Sequence, residues 1–285
     1  MGSGALLGQM NSTTGTSWIK GADGSKPFSI TAGSLSYPGY IASDTGNKVG
    51  FSSSGSDVAV LPFQSSISAG NIYVSFLVRI SYVNPNTSGG YFLGLCYGDG
   101  SNYKSTFFAK KDGNNKVAFG IGIKTSANKW TDFVYDLNTT YLVVIKFQIK
   151  SGDSNDITSF MINPVLTETE PIESSWINNA STSSDIAIEA LFLRNGNSSS
   201  CPGGYVGNIR VAKTWKDIIV DPDPSVTSSL KYLSDFKTIA SGGPSSEATF
   251  KISGSNLLEN IKITPSEHYE VSTTSGSGFT ATPLE

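Results

Sequence analysis

Asn71-Ile72-Tyr73-Val74-Ser75-Phe76-Leu77-Val78-Arg79-Ile80 alternates without a break. Ile72, Val74, Phe76, Val78 and Ile80 fall on one side, and Tyr73, Ser75, Leu77 and Arg79 on the other. A period of two sends neighbouring side chains to opposite faces of a pleated strand. The segment is therefore predicted to be a half-buried strand of an antiparallel sheet. Tyr141–Lys150 reads the same way, with Tyr141, Val143, Ile145, Phe147 and Ile149 on the core side. So does Val117–Lys124, where Val117, Phe119, Ile121 and Ile123 share a face and Gly120 and Gly122 thin the other. Asp185–Arg194 and Gly207–Ala212 complete the set.

Turn residues punctuate these runs: Asn84-Pro85-Asn86, Gly98-Asp99-Gly100, Asp112-Gly113-Asn114, Gly152-Asp153 and Asn195-Gly196-Asn197. Each offers positive φ or an Asx-turn. The best helical candidate is one turn at Thr214–Ile218. Many strands and almost no helix predict an all-β sandwich or jelly roll.

Charged residues make up 15% of the 285-residue chain, well below the ~25% usual for soluble domains. Ser, Thr, Asn and Gly supply the polar surface instead, a composition that points to a secreted or cell-surface protein. The net charge of −3 comes with no Lys/Arg cluster, which argues against a nucleic-acid partner. No apolar run reaches the ~18–20 residues of a membrane span, so no membrane insertion is expected. The two cysteines, Cys96 and Cys201, are compatible with a disulfide or with separate thiols, Cys96 then being buried in an apolar strand.

The alternation stops at Val220-Asp221-Pro222-Asp223-Pro224-Ser225. Two prolines at alternate positions make a short, stiff spacer. The expected organisation is a first domain at residues 1–220, a spacer at 221–225 and a second β unit at 226–285. The second unit holds fewer strands than the ~7 of a complete immunoglobulin-like sandwich and is expected to be incomplete, so the neighbouring domains of a longer parent chain are expected partners.

The first domain resembles the concanavalin A-like (laminin-G-like) jelly-roll modules of bacterial surface and type IX-secreted proteins. The resemblance rests on Gly33-Ser34-Leu35-Ser36-Tyr37-Pro38-Gly39-Tyr40, Tyr73–Val78, Gly90-Tyr91-Phe92-Leu93, Thr140–Phe147, Asn163-Pro164, Glu170-Pro171 and Ile209–Asp217, in order. The tail, from Phe250–Leu257 through Ile263-Thr264-Pro265 to Phe279-Thr280, resembles an immunoglobulin-like repeat. The resemblance implies fold and location. It implies no single activity, since the fold hosts lectins, glycanases and spacers.

Catalytic chemistry finds little to work with. The one histidine, His268, lies in the tail, away from any Ser or Cys partner expected in the first domain. Glycanases of the resembled fold place three acids on one strand face. Glu168-Thr169-Glu170-Pro171-Ile172-Glu173 has comparable spacing, but Pro171 and the nearby Asn163-Pro164 mark a loop. No enzyme activity is expected. Calcium, bound by loop oxygens, has candidate ligands in Asp99 with Asn102, Asp112 with Asn114, and Asp153 with Asn155 and Asp156. The same residues also build ordinary turns.

Sugar binding needs exposed aromatic faces with polar groups beside them. Tyr97 and Tyr103 flank Gly98–Asn102, Trp130 lies in the polar stretch Asn128–Asp132, and Trp176 follows Ser174-Ser175. Large aromatics are also mostly buried, so each could be core or interface packing, and Trp18 and Trp215 are expected to be structural. Tyr97, Asp99, Asn102, Tyr103 and Trp130 are the candidate glycan contacts. The expected function is a non-catalytic binding or adhesion module whose partner is a glycan or a surface protein. An architectural spacer is the alternative, and a glycan hydrolase the third reading.

Overall fold

The computed structural model describes residues 4–11, 14–84, 88–180, 187–197, 201–220, 224–233, 236, 244–255, 257 and 259–285. The chain divides into two compact units, Met1–Asp221 and Pro222–Glu285. The proposed spacer falls largely on residues 221–223, outside the described residues, as do Pro85 and Asn86 of one expected turn.

The first unit is built of β1 (Gly4–Ala5), β2 (Ile19–Ala22), β3 (Ser29–Thr31), β4 (Lys48–Phe51), β5 (Val58–Ile67), β6 (Gly70–Tyr82), β7 (Gly90–Tyr97) and β8 (Asn102–Lys111). It continues with β9 (Lys116–Ile123), β10 (Ser126–Trp130), β11 (Tyr135–Asp136), β12 (Thr140–Ile149), β13 (Ile157–Ile162), β14 (Ile177–Ala180), β15 (Ile188–Arg194), β16 (Gly203–Ala212) and the one-turn helix α1 (Lys216–Ile219). The first sheet has the order β1-β3-β4-β16-β6-β12-β13-β14. The second runs β10-β9-β8-β7-β15-β5-β2, with β11 paired to β9. All pairings are antiparallel, and crossovers such as β4–β16 and β7–β15 give the jelly-roll sandwich expected from the alternation.

The predicted core faces meet between the sheets. Ile72, Val74, Phe76, Val78 and Ile80 of β6, the alternate set from Tyr141 to Ile149 of β12, and Val117, Phe119 and Ile121 of β9 belong to one buried cluster. Rings bridge the sheets: Phe51 stacks on Phe92 with centroids 4.5 Å apart, and Phe107 meets Phe76 and Phe160 edge-on at 5.5 and 5.4 Å. A buried hydrogen bond of 2.6 Å between the Ser105 and Thr158 hydroxyls crosses the same interior.

The expectation of half-buried strands needs correction. Tyr73, Ser75 and Leu77, on the outer face of β6, are also buried. Loops seal that face. Leu35 and Tyr40 pack on Leu77 and Leu142, while Trp176, Trp215, Ile218 and Ile219 pack around Tyr73 and Val144. The Tyr40 hydroxyl bonds to Ser75 Oγ and donates to the Asn208 carbonyl, both at 2.8 Å. Asn208 sits in the β16 irregularity with φ 57°, a conformation asparagine tolerates better than most residues. Its amide donates to the carbonyls of Ala42 and Thr45 and to Ser34 Oγ. The helical turn lies where expected, and the two cysteines are separate thiols, Cys96 buried in β7.

In the second unit β17 (Ser225–Ser228) pairs with β18 (Ile252–Ser255), and isolated bridges join Ile263 to Leu284 and Val271 to Thr280. No described residue of this unit is fully buried.

Candidate functional site

The outer face of the second sheet carries the candidate site. Strand register places Tyr91 of β7 opposite Phe108 of β8, Phe108 opposite Gly120 of β9, and Gly120 opposite Trp130 of β10. The glycine is what lets the row lie flat. A Cβ at Gly120 would stand 2.6 Å from Trp130 Cε3, closer than packed carbons approach. The indole therefore rests on bare backbone and meets Phe108 edge-on at 6.0 Å. Gly94 repeats the arrangement, with the Phe192 ring 2.8 Å from where its Cβ would be.

These rings wall a cleft of about 510 Å³ whose lining includes Tyr91, Phe108, Ser126, Trp130, Arg194 and Asn197. Arg194 closes one side, its guanidinium carbon 4.4 Å from the Tyr91 ring centre. Lys110 flanks the other wall, with Nζ 4.0 Å from the Trp130 ring centre and 5.4 Å from that of Phe133. Burial holds Lys110 below the usual lysine range. Burial likewise raises Tyr91 and, helped by the neighbouring Tyr91, pushes Tyr103 up to about 12. Both phenols are thus neutral donors at ordinary pH. Among the described lining residues there is no Asp or Glu.

Of the residues expected to contact a glycan, Trp130 lines the cleft and Tyr103 extends its aromatic row, 5.3 Å from Tyr91 and 4.4 Å from Phe192. Tyr97, Asp99 and Asn102 stand instead at the β7–β8 turn and do not line it. There Asp99 accepts a hydrogen bond from Ser101, and a Cβ at Gly100 would lie 2.6 Å from Val60, so the turn folds down onto β5. Trp176, read as a possible groove residue, is buried and packs edge-on against Trp215 at 5.9 Å.

The expected calcium ligands occupy separate turns. Asp112 accepts the backbone N–H groups of Asn114 and Lys116. Asp156 is buried and accepts that of Lys150. Asp153 is exposed in the β12–β13 turn. No group of three His, Cys, Asp or Glu side chains converges among the described residues.

The acidic triplet lies on the loop after β13. Glu170 accepts hydrogen bonds from Tyr73 and Lys146, both at 2.7 Å, and Glu168 pairs with Lys216 at 3.1 Å. His268 is exposed beside Glu267.

Sequence reasoning missed Phe108, Arg194 and Asn197, and used Tyr91 only for its resemblance. The signal for Phe108 was present: Lys104, Thr106, Phe108 and Lys110 alternate along β8. Arg194 needed the pairing of β15 with β7, which no local pattern contains.

No protein-family model matches the sequence, and no curated protein matches it. Among solved structures it is similar to the globular domain of T. cruzi calreticulin, at 13% identity and TM-score 0.44, covering 71% of this chain and 86% of that one. The carbohydrate recognition domain of Emp46p in its metal-free form is 7% identical, with TM-score 0.39 and coverage of 73% and 94%. The catalytic domain of a glycoside hydrolase family 131 protein from Coprinopsis cinerea is 15% identical, with TM-score 0.42 and coverage of 70% and 84%. These likenesses are distant.

Proposed function

We propose that this chain is a non-catalytic glycan-binding module of a secreted or cell-surface bacterial protein, with its sugar site in the cleft on the second sheet. The observation that carries the reading is the Trp130 indole laid flat over Gly120 at the cleft wall. A partly exposed ring fixed against backbone offers a rigid apolar face at little cost in side-chain entropy. Ser126, Asn197 and Arg194 stand beside it as partners for hydroxyls. The engagement of Glu170 by Tyr73 and Lys146 on a loop supports binding over hydrolysis, because paired catalytic carboxylates must face a bond across a shared gap. The low charge supports the extracellular assignment, and the tail is read with it as an immunoglobulin-like repeat of the same parent protein.

A glycan array tests this with the wild type, Trp130→Ala and Tyr97→Ala. Specific binding that disappears in Trp130→Ala and persists in Tyr97→Ala is expected. Absence of any glycan signal from folded wild type overturns the proposal and favours the architectural reading.

A further inference from the structure

Arg194 is the unusual group in the cleft. Its residue is 9% exposed, and its guanidinium lies over Tyr91 and lines the cavity. Among the described residues it makes no side-chain hydrogen bond and no ion pair. Its N–H groups are not sealed in the interior, unlike the Nε atoms of Arg79 and Arg210, which are buried without a partner. One face of the guanidinium lies on the Tyr91 ring, and its N–H donors stay open to the cleft. Lys110 adds a second cation over the Trp130 ring, outside the lining itself. Arg194 in the lining, Lys110 close by and no carboxylate among the described lining residues, within a chain of net charge −3, form a local positive site. An anion delivered by a ligand would satisfy it.

We propose that the cleft binds an acidic saccharide, with the sugar carboxylate received by the Arg194 guanidinium and the ring placed against Trp130. This rests on the glycan-binding reading and narrows it. The planar guanidinium presents parallel donors that match the two oxygens of a carboxylate. Lys110, held above the indole, supplies a longer-range attraction and no comparable fork. The distinction from a general cationic patch is geometric. Lysine at position 194 would keep the charge and lose the two-point contact.

Titration calorimetry on the full chain tests this. The probes are oligosaccharides of galacturonate, mannuronate, guluronate and hyaluronan, each beside its carboxyl-reduced counterpart, with a sulfated galactan oligosaccharide at the same ionic strength. At least one uronate series is expected to bind about tenfold or more tighter than its reduced counterpart, the scale of a hydrogen bond to a charged group. Arg194→Lys is expected to cut the ratio of acidic to reduced-sugar affinity to about twofold or less, because the lost two-point contact is made only to the carboxylate. Trp130→Ala is expected to weaken both sugars together. The wild-type comparison decides the matter even where a buried-site variant fails to fold.

Equal binding of acidic and reduced sugars overturns the carboxylate assignment and leaves the glycan-binding reading standing. Tighter binding of the sulfated galactan than of every uronate also overturns it, in favour of a sulfate site. Failure of every saccharide to bind overturns both.

Discussion

Gly120→Ala isolates the contact on which the site depends. The three heavy atoms nearest a Cβ at this position all belong to the Trp130 indole, at 2.6, 2.7 and 2.9 Å. Ordinary carbon contacts lie at about 3.5–4.0 Å, so the ring must shift by about 1 Å or the strands must part. Overpacking of this kind costs about 1–3 kcal/mol. Alanine restricts the unfolded chain, returning about 0.4–1 kcal/mol. The net change in the wild-type background is a loss of about 0.5–2.5 kcal/mol, or a fall of about 1–10 °C in Tm for a unit this size. In a Trp130→Ala background the clash is gone and only the entropic gain remains, so the same substitution is neutral or stabilising. A double-mutant cycle by urea denaturation should return a coupling of about 1–3 kcal/mol. Acrylamide quenching provides a second readout. Trp18, Trp176 and Trp215 are buried, so the quenchable signal belongs to Trp130 and should rise in Gly120→Ala as the ring lifts. An equal cost of Gly120→Ala in both backgrounds would refute the stacked geometry and remove the main support for the site.

Two further expectations concern stability. Asn208→Ala loses the amide bonds to Ala42, Thr45 and Ser34 and forces alanine into φ 57°, so it should cost about 2–4 kcal/mol. Asn208→Gly, which tolerates that φ, should cost less, and equal losses in the two variants would show that backbone strain plays no part. The fold should also weaken in alkali. Burial pushes Tyr40 and Tyr103 from 10.0, and Cys96 from 9.0, up to about 12. The unfolded chain releases these protons first, so stability is complete below about pH 9 and falls as pH rises toward 12. Urea midpoints that stay level from pH 8 to 11.5 would contradict this.

The sandwich was legible because its core strands alternate. Phe76, Val143 and Phe119 could be assigned inward from sequence alone, since period two fixes the face once one member of a set is apolar. The covering of the first sheet was less visible. Tyr73, Ser75 and Leu77 read as a mixed, solvent-side set, yet the loops carrying Leu35, Tyr40 and Trp176 bury them. That coverage depends on contacts between residues distant along the chain, such as Tyr40 with Ser75. The cleft divides along the same line. Trp130 stood out as an aromatic in a polar stretch, and Gly120 as a gap in the β9 pattern, but their apposition comes from the β9–β10 register. Tyr97 and Asp99 looked equally suitable, and only the fold of their turn onto Val60 separates them from the site.

The two outer faces differ in a way that favours the second sheet for the proposed ligand site. On the first, Tyr73 spends its hydroxyl on Glu170, Tyr40 on Ser75 and Asn208, and Trp215 its indole N–H on the Thr167 carbonyl. These groups already have partners, and an incoming sugar would have to displace a packed loop. On the second, the Trp130 ring covers glycine backbone directly, and polar groups such as Ser126, Arg194 and Asn197 stand beside it in the cleft. The donors at its margin are less committed, with Arg194 the clearest case. A pocket that combines fixed aromatic faces with unspent donors has the chemistry of recognition. A sealed face with satisfied hydrogen bonds has the chemistry of scaffolding. The sandwich keeps these tasks on opposite sides of one core, so changes to the cleft can alter the ligand while the Phe76–Phe107–Phe160 packing between the sheets stays as it is.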